Sequence, residues 1–352
     1  MIIMETGASE SDIAAVIAEV RKHGLRSDIV RENASTVINV VGDQSGVPFA
    51  AFAGLPGVRQ AERIEKPYRL INRECAREYG GDTGRRVIHV GDVAIGGDEP
   101  VFIAGPCAVQ SRQQLFDIAE QVKTAGAHIL RGGIFKPRSS VHSFQGLGSV
   151  SPEQAEEALS WLREAGDAFG MPVITEVRGE TQVDLVARYV DILQIGTRNM
   201  YDQDLLAAAG RKKKPVLFKR HFGAGIEEFL SFAEYIAAEG NRDIMLCERG
   251  ILPLGKGKSY TRYTLDLASI PVLQQESYLP VVVDPSHATG RRDLIGPMSR
   301  AAVAAGANAL MIETHTDPDT SPVDAAQMIT PDELKEVISS CRRLRNIETA
   351  VI

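Results

Sequence analysis

The sequence predicts an α/β protein: an eight-stranded (β/α)8 barrel behind a small α+β domain. Three observations predict it. Eight short apolar runs recur beyond residue 100. Amphipathic stretches, several closing on glycine, separate most of those runs. The first 67 residues follow a different order, strand–helix–strand–strand–helix–strand.

In the N-terminal part, MIIME reads as a short strand. ESDIAAVIAEVRKHG is a helix with Ile13, Val16, Ile17 and Val20 on one face and Gly24 at its end. SDIVRE and TVINVVGD are two strands, VPFAAFAGL is a short helix, and VRQAERIEKP is a last strand ended by Pro67. That order is the ferredoxin-like pattern. Residues 68–84 are charged and glycine-bearing, as a linker would be, so the expected divisions are 1–67, 68–84 and 85–352. RRVIHVGDVAIGGDE follows, with two β-runs around Gly91-Asp92, a hairpin signal.

The eight apolar runs are PVFIAGPC, HILRGGIF, PVITEV, ILQIGT, PVLFKR, IMLCERG, VVVDPSH and ALMIETH. Helical stretches such as RQQLFDIAEQVKTAG, SPEQAEEALSWLREAG and RRDLIGPMSRAAVAAG lie between most of them, and glycine is a common helix cap. Eight such strands alternating with helices read as a TIM barrel. A doubly wound open sheet is the alternative, since strand number does not itself close a barrel.

Composition narrows the function classes. The 352 residues are 44% hydrophobic and 24% charged, which suits an ordinary packed core. The start, MIIMETGASESD, lacks the basic region, apolar run and cleavage site of a signal peptide. No apolar run approaches the roughly 20 residues a membrane helix needs. A cytoplasmic protein with no membrane partner is expected. Cys75, Cys107, Cys247 and Cys341 are widely spaced without a CxxC pair, which argues against a disulfide framework. A formal net charge of −7 argues against a nucleic-acid partner. A local basic cluster can still bind anions.

Barrel active sites lie at the C-terminal ends of the strands. Here those ends carry Cys107, then Arg131 and Lys136-Pro137-Arg138-Ser139, then Glu176 and Arg198. Lys219-Arg220, Arg249, Asp284 with His287, and Glu313 with His315 complete the ring. Two sets emerge. Cys107, His287 and Glu313 fall on neighbouring strands once the barrel closes, and a thiolate, an imidazole and a carboxylate suit a borderline divalent ion. Asp317, Asp319 or Asp324 can give a fourth ligand. Each residue alone has a plainer reading: a buried thiol behaves as a small hydrophobe, and a lone His or Glu at a strand end is often a hydrogen-bonded loop residue. A Cys nucleophile with a His base competes as well, but it leaves the second set unexplained. That set is Arg131, Lys136, Arg138, Arg198, Lys219 and Arg249. A single surface cation is usually solvated. Six at one mouth repel one another unless anions fill it, and guanidinium forks suit phosphate or carboxylate. The implied ligand carries several negative charges. The run RKKKP at 211–215 reads instead as a solvated loop before the fifth barrel strand.

GPCAVQS, LRGGIFKPRSS, IGTRNM, LFKR, CERGI, DPSHATG and IETHTDP, in this order, closely resemble 3-deoxy-D-arabino-heptulosonate 7-phosphate (DAHP) synthase over roughly residues 85–345. The N-terminal part resembles the ferredoxin-like regulatory domain of one subclass of that family. The resemblance implies a transferase that condenses phosphoenolpyruvate with erythrose 4-phosphate and releases phosphate, the entry step of the shikimate pathway to aromatic amino acids. By position, the family's metal ligands correspond to Cys107, His287, Glu313 and Asp324. Ala325 follows Asp324 where relatives more often carry glycine. The ion implied is Mn²⁺, Fe²⁺, Co²⁺ or Zn²⁺. The phosphoenolpyruvate groups correspond to Arg131, Lys136, Arg198, Lys219 and Arg249. Lys136-Pro137-Arg138-Ser139 corresponds to the erythrose 4-phosphate loop, and Lys136 to the proton donor for the aldehyde oxygen. Two other readings stand beside this one. One is 3-deoxy-D-manno-octulosonate 8-phosphate synthase, whose members typically read KANRSS where this chain reads KPRSS. The other is a non-catalytic metabolite-binding barrel. The resemblance also implies a homotetramer and an aromatic effector, tyrosine or phenylalanine, on the N-terminal domain. Asp28 and Val30 stand where tyrosine-binding relatives use small polar groups.

Overall fold

The computed structural model describes residues 1–32, 35–42, 44, 46–63, 66–73, 84–136, 142–254 and 259–351. The chain divides into two compact units, Met1–Arg85 with Gln275–Tyr278, and Arg86–Gln274 with Leu279–Ile352.

The first unit runs β1 (Ile2–Met4), α1 (Glu10–Lys22), β2 (Arg26–Glu32), β3 (Ser35–Val41), α2 (Phe49–Ala53) and β4 (Val58–Ala61). Ser9 starts α1 with a reciprocal cap: its side chain accepts from the Asp12 amide, and the Asp12 carboxylate accepts from the Ser9 amide. The strands form one antiparallel sheet in the order β2-β3-β1-β4, as the ferredoxin-like pattern requires. Ile13, Val16 and Val20 of α1 join Ile2, Met4, Ile38, Val40 and Phe52 in its core. The last strand stops at Ala61, short of Pro67. Asp28 stands opposite Asn39 in the β2–β3 register, whereas the side chain of Val30 lies outside the described residues. Within the charged stretch after Pro67, Tyr68, Leu70 and Ile71 are buried. Residues 74–83, with Cys75, lie outside the described residues.

The second unit opens with the hairpin β5 (Ile88–Val90) and β6 (Val93–Ile95), turning at Gly91. Eight parallel strands follow: β7 (Val101–Gly105), β8 (Ile129–Arg131), β9 (Val173–Val177), β10 (Ile192–Ile195), β11 (Val216–Lys219), β12 (Ile244–Glu248), β13 (Val281–Val283) and β14 (Ala309–Glu313). They close into a barrel, with β14 paired to β7 from Ala309↔Val101 to Glu313↔Gly105. Every residue of these strands except Glu176 is buried, as strands covered on both faces must be. Ile88, Val90 and Ile95 of the hairpin share one core cluster with inward side chains such as Val101, Ile129, Met245, Val282 and Ala309. The hairpin therefore plugs the barrel beneath the strand starts and leaves the C-terminal ends for the site.

The enclosing helices are α3 (Arg112–Ala125), α4 (Pro152–Ala168), α5 (Glu180–Tyr189), α6 (Gln203–Arg211), α7 (Ile226–Ala238), α8 (Ser269–Glu276), α9 (Pro285–Thr289), α10 (Ile295–Ala304) and α11 (Pro331–Val351). The basic run before β11 is not simply solvated. Lys213 and Lys214 donate to the carbonyls of Glu239 and Val190, at the ends of α7 and α5, and Lys212 pairs with Asp184. Cations at helix C-termini satisfy carbonyls that lack an intrahelical partner. No helix among the described residues is long and apolar enough to cross a membrane.

Candidate active site

Register and two glycines bring the site together. Glu313 ends β14 directly opposite Gly105. Gly105 has φ +145°, and a Cβ there would lie 2.1 Å from the Arg131 carbonyl oxygen. Only glycine lets the chain pass so close to β8 before it delivers Cys107. A Cβ on Gly133 would sit 2.2 Å from the Cys107 carbonyl oxygen and 2.9 Å from Cδ of Lys136. The loop after β8 is thus pressed onto the loop after β7.

One ligand atom from each of Cys107, His287, Glu313 and Asp324 lies within 4.8 Å of the others. Cys107 Sγ donates to Asp324 Oδ2 at 3.3 Å, and His287 Nε2 lies 3.3 Å from Glu313 Oε1. His287 Nδ1 is 2.7 Å from Asp284 Oδ2, so the other ring nitrogen faces the cluster. Asp324 holds φ +51°, a left-handed conformation uncommon outside glycine. Arg262 Nη1 lies 3.6 Å from its Oδ1. Asp317 and Asp319 do not join: the Asp317 amide donates to His315 Nδ1, and Asp319 pairs with Arg292 at 2.8 Å. His315 turns its Nε2 toward Gln114, 3.0 Å away. The donor set of one sulfur, one nitrogen and two oxygens fits a borderline divalent ion. Ligands about 2.0–2.3 Å from a common ion stand within such a spread of one another.

The electrostatics suit a cation. Burial, then the Glu313 carboxylate, pushes the Cys107 thiol well up, so its thiolate needs a strong positive partner. Burial would also raise Glu313, but His287, Arg131 and Lys136 outweigh it and hold the carboxyl well below the usual range. Burial lowers His287 despite its acidic neighbours Asp284 and Glu313. Arg131 Nη1 donates to Glu313 Oε1 at 2.7 Å, and Gln327 Nε2 to Oε2 at 2.6 Å.

The cations of the mouth are built in. Arg131, Lys136, Lys219 and Arg249 are 4%, 7%, 4% and 5% exposed, too buried to be solvated surface charges. Two carboxylates relieve the repulsion among them. Glu313 faces Arg131, and Asp284 Oδ2 accepts from Lys219 Nζ at 2.5 Å. Arg249 Nη1 is buried with no hydrogen-bond partner among the described residues. Arg198 is exposed in the turn after β10. Arg220 turns away to Glu248 at 3.0 Å and Asp266 at 2.9 Å. Glu176 accepts from Gln194 Nε2 at 3.0 Å. Pro137, Arg138 and Ser139 lie outside the described residues. Sequence reasoning gave no role to Asp284, Gln327 or Arg262. The signal for Asp284 was its spacing. Three residues before His287, it caps α9 by accepting from the His287 amide at 2.9 Å.

Residues 72–347 match the DAHP synthetase I family, and residues 1–66 match the DAHP synthase ferredoxin-like domain. The chain belongs to the DAHP synthetase I family. Within it, the chain is 43% identical over 344 residues to phospho-2-dehydro-3-deoxyheptonate aldolase of Thermotoga maritima, covering 98% of this chain and 97% of that one. A crystal structure of the DAHP synthase from Thermotoga maritima matches with a TM-score of 0.75 at 42% identity, again over 98% of this chain and 97% of that one. A 2-dehydro-3-deoxyphosphooctonate aldolase from Bartonella henselae matches at 30% over 266 residues, 72% of this chain and 93% of its own length.

Proposed function

We propose that the chain condenses phosphoenolpyruvate with erythrose 4-phosphate, giving DAHP and inorganic phosphate. One observation carries this reading: the ligand cluster and the cationic set share their carboxylates. Glu313 touches both His287 and Arg131, and Asp284 touches both His287 and Lys219. They form one site.

In this reading Arg131, Lys136, Arg198, Lys219 and Arg249 hold the carboxylate and phosphate of phosphoenolpyruvate. Pro137, Arg138 and Ser139 hold erythrose 4-phosphate. A divalent ion (Mn²⁺, Fe²⁺, Co²⁺ or Zn²⁺) held by Cys107, His287, Glu313 and Asp324 supplies Lewis-acid polarisation of the aldehyde oxygen or activation of a water. C3 of phosphoenolpyruvate attacks the aldehyde carbon while Lys136 gives a proton to the aldehyde oxygen. Burial disfavours the Lys136 ammonium, but Cys107 and Glu313 outweigh that and raise its pKa. Water adds at C2, and phosphate leaves the resulting hemiketal by C–O cleavage. Fixed cations stabilise the charge that develops, and holding both anions together removes the entropic cost of their encounter.

The sugar is tested by product formation with erythrose 4-phosphate and arabinose 5-phosphate in turn. DAHP from the first, with little turnover of the second, is expected. Equal turnover of arabinose 5-phosphate would reject the sugar assignment. No consumption of phosphoenolpyruvate with either would leave a non-catalytic binding barrel.

Residues 1–67 are proposed as a sensor of tyrosine or phenylalanine, joined through 68–84 to a catalytic barrel at 85–352, in a cytoplasmic homotetramer. The match of residues 1–66 to a DAHP synthase ferredoxin-like domain supports the sensor. Asp28 and Val30 bear on which effector binds.

A further inference from the structure

We propose that Tyr263 is a positioning residue for Arg249, its ring holding the guanidinium ready for an anion. The inference rests on the reading of Arg249 as part of the phosphoenolpyruvate cradle. Arg131 and Lys219 each face a carboxylate; Arg249 faces none among the described residues. Its Cζ lies instead 4.3 Å from the centroid of the Tyr263 ring. A carboxylate would compete with the ligand for the guanidinium. A ring face attracts the cation through its quadrupole and leaves the N–H donors available. Arg249 Nη1, buried and without a hydrogen-bond partner among the described residues, is such a donor.

The ring is itself held. The Tyr263 amide donates to the Ala288 carbonyl at 2.8 Å and the Arg262 amide to that of Thr289 at 2.9 Å, fastening the segment to α9. Phe222 stacks on the ring with centroids 5.4 Å apart and planes 20° from parallel. On the other partner, Gly250 has φ +93°, and a Cβ there would meet Tyr263 Cβ at 2.7 Å. The Gly250 amide donates to Glu248 Oε1 at 2.6 Å. The backbone beside Arg249 is thus fixed against the ring. Arg262 also approaches this ring, more distantly at 5.7 Å, and bonds Gln327 Oε1 at 3.2 Å. A test must separate the two guanidiniums.

The test is calorimetric binding of phosphoenolpyruvate to the full chain, with kinetics and metal content measured beside it. Tyr263→Leu is expected to weaken phosphoenolpyruvate binding about tenfold, the size of one desolvated cation–π contact. The KM for erythrose 4-phosphate and the metal content should stay within about twofold of wild type. Tyr263→Phe, which keeps the ring, should bind like wild type. If Tyr263→Leu does not fold, Tyr263→Met keeps the bulk and gives the same reading. Unchanged phosphoenolpyruvate binding in the ring-less variant overturns the proposal, as does equal loss in Tyr263→Phe. Loss of metal with binding intact would shift the ring's role to Arg262 and overturn it too. A wild-type chain that binds phosphoenolpyruvate but makes no DAHP counts against the reaction alone. One that does not bind phosphoenolpyruvate overturns both.

Discussion

Lys219 and His287 converge on one oxygen of Asp284: Nζ lies 2.5 Å and Nδ1 2.7 Å from Oδ2. Burial opposes the Asp284 charge, but His287 and Lys219 outweigh it and hold the carboxyl well below its usual range. One anion therefore orients a candidate metal ligand and a candidate substrate cation together. Asp284→Asn should weaken metal affinity about 10- to 100-fold, the usual effect of losing such a partner. It should also raise the KM for phosphoenolpyruvate. A metal titration with steady-state kinetics checks both; a change in only one would break the link.

Arg138→Ala should raise the KM for erythrose 4-phosphate more than that for phosphoenolpyruvate. Arg198→Ala and Lys219→Ala should do the reverse. Each lost charge-assisted contact is worth about 1.5–3 kcal/mol, roughly 10- to 100-fold. Initial-rate kinetics with each substrate varied in turn decides, and the opposite ordering rejects the two sub-sites.

The barrel was legible because its eight strands end in chemistry-bearing loops, and the small domain because its order of elements is distinctive. From the residues alone the candidate ligand set was legible only to its third member, and the resemblance pointed to Asp324 as the fourth. Asp317, Asp319 and Asp324 are equivalent in spacing, and only the fold swings Asp324 over Cys107 while Arg292 takes Asp319. The carboxylate partners were harder still. Sequence marks Arg131 and Glu313 as charged strand ends, but their pairing depends on barrel closure across 182 residues of chain. The basic run at 211–215 is mostly exposed, as expected, but the capping of distant helix ends by Lys213 and Lys214 leaves no local signal.

His128 provides a pH test remote from the candidate metal ligands. Burial, then Arg342 and Lys123, lowers its pKa to about 4, and its Nδ1 accepts from the Phe102 amide at 3.0 Å. A histidine with a lowered folded pKa takes up its proton more readily when unfolded. Its contribution is therefore intact above about pH 6.5 and is lost as pH falls toward 4. The melting temperature should drop across that window, and His128→Gln should flatten the drop. Superimposable profiles would refute the assignment.

Removal of the first unit tests the sensor. A chain beginning near Val87 should keep activity and be insensitive to tyrosine and phenylalanine, while the full chain is inhibited by one of them. Binding and inhibition should share one concentration dependence, since the effector acts by preferring one state. A full chain indifferent to both amino acids rules out feedback by these ligands.

The binding of a divalent ion by Cys107, His287, Glu313 and Asp324, inside the proposed phosphoenolpyruvate cradle, is the proposal on which the other roles depend. Its most direct test is a cobalt titration of the chelator-treated chain, followed by absorption and by DAHP formation. One equivalent bound per chain is expected, with a thiolate-to-cobalt charge-transfer band, restored activity, and a change in the band when phosphoenolpyruvate is added. Cys107→Ala should fold, lose the band and lose activity, and Cys107→Ser should be a milder loss. Full activity in Cys107→Ala, or turnover that survives the chelator, would contradict it.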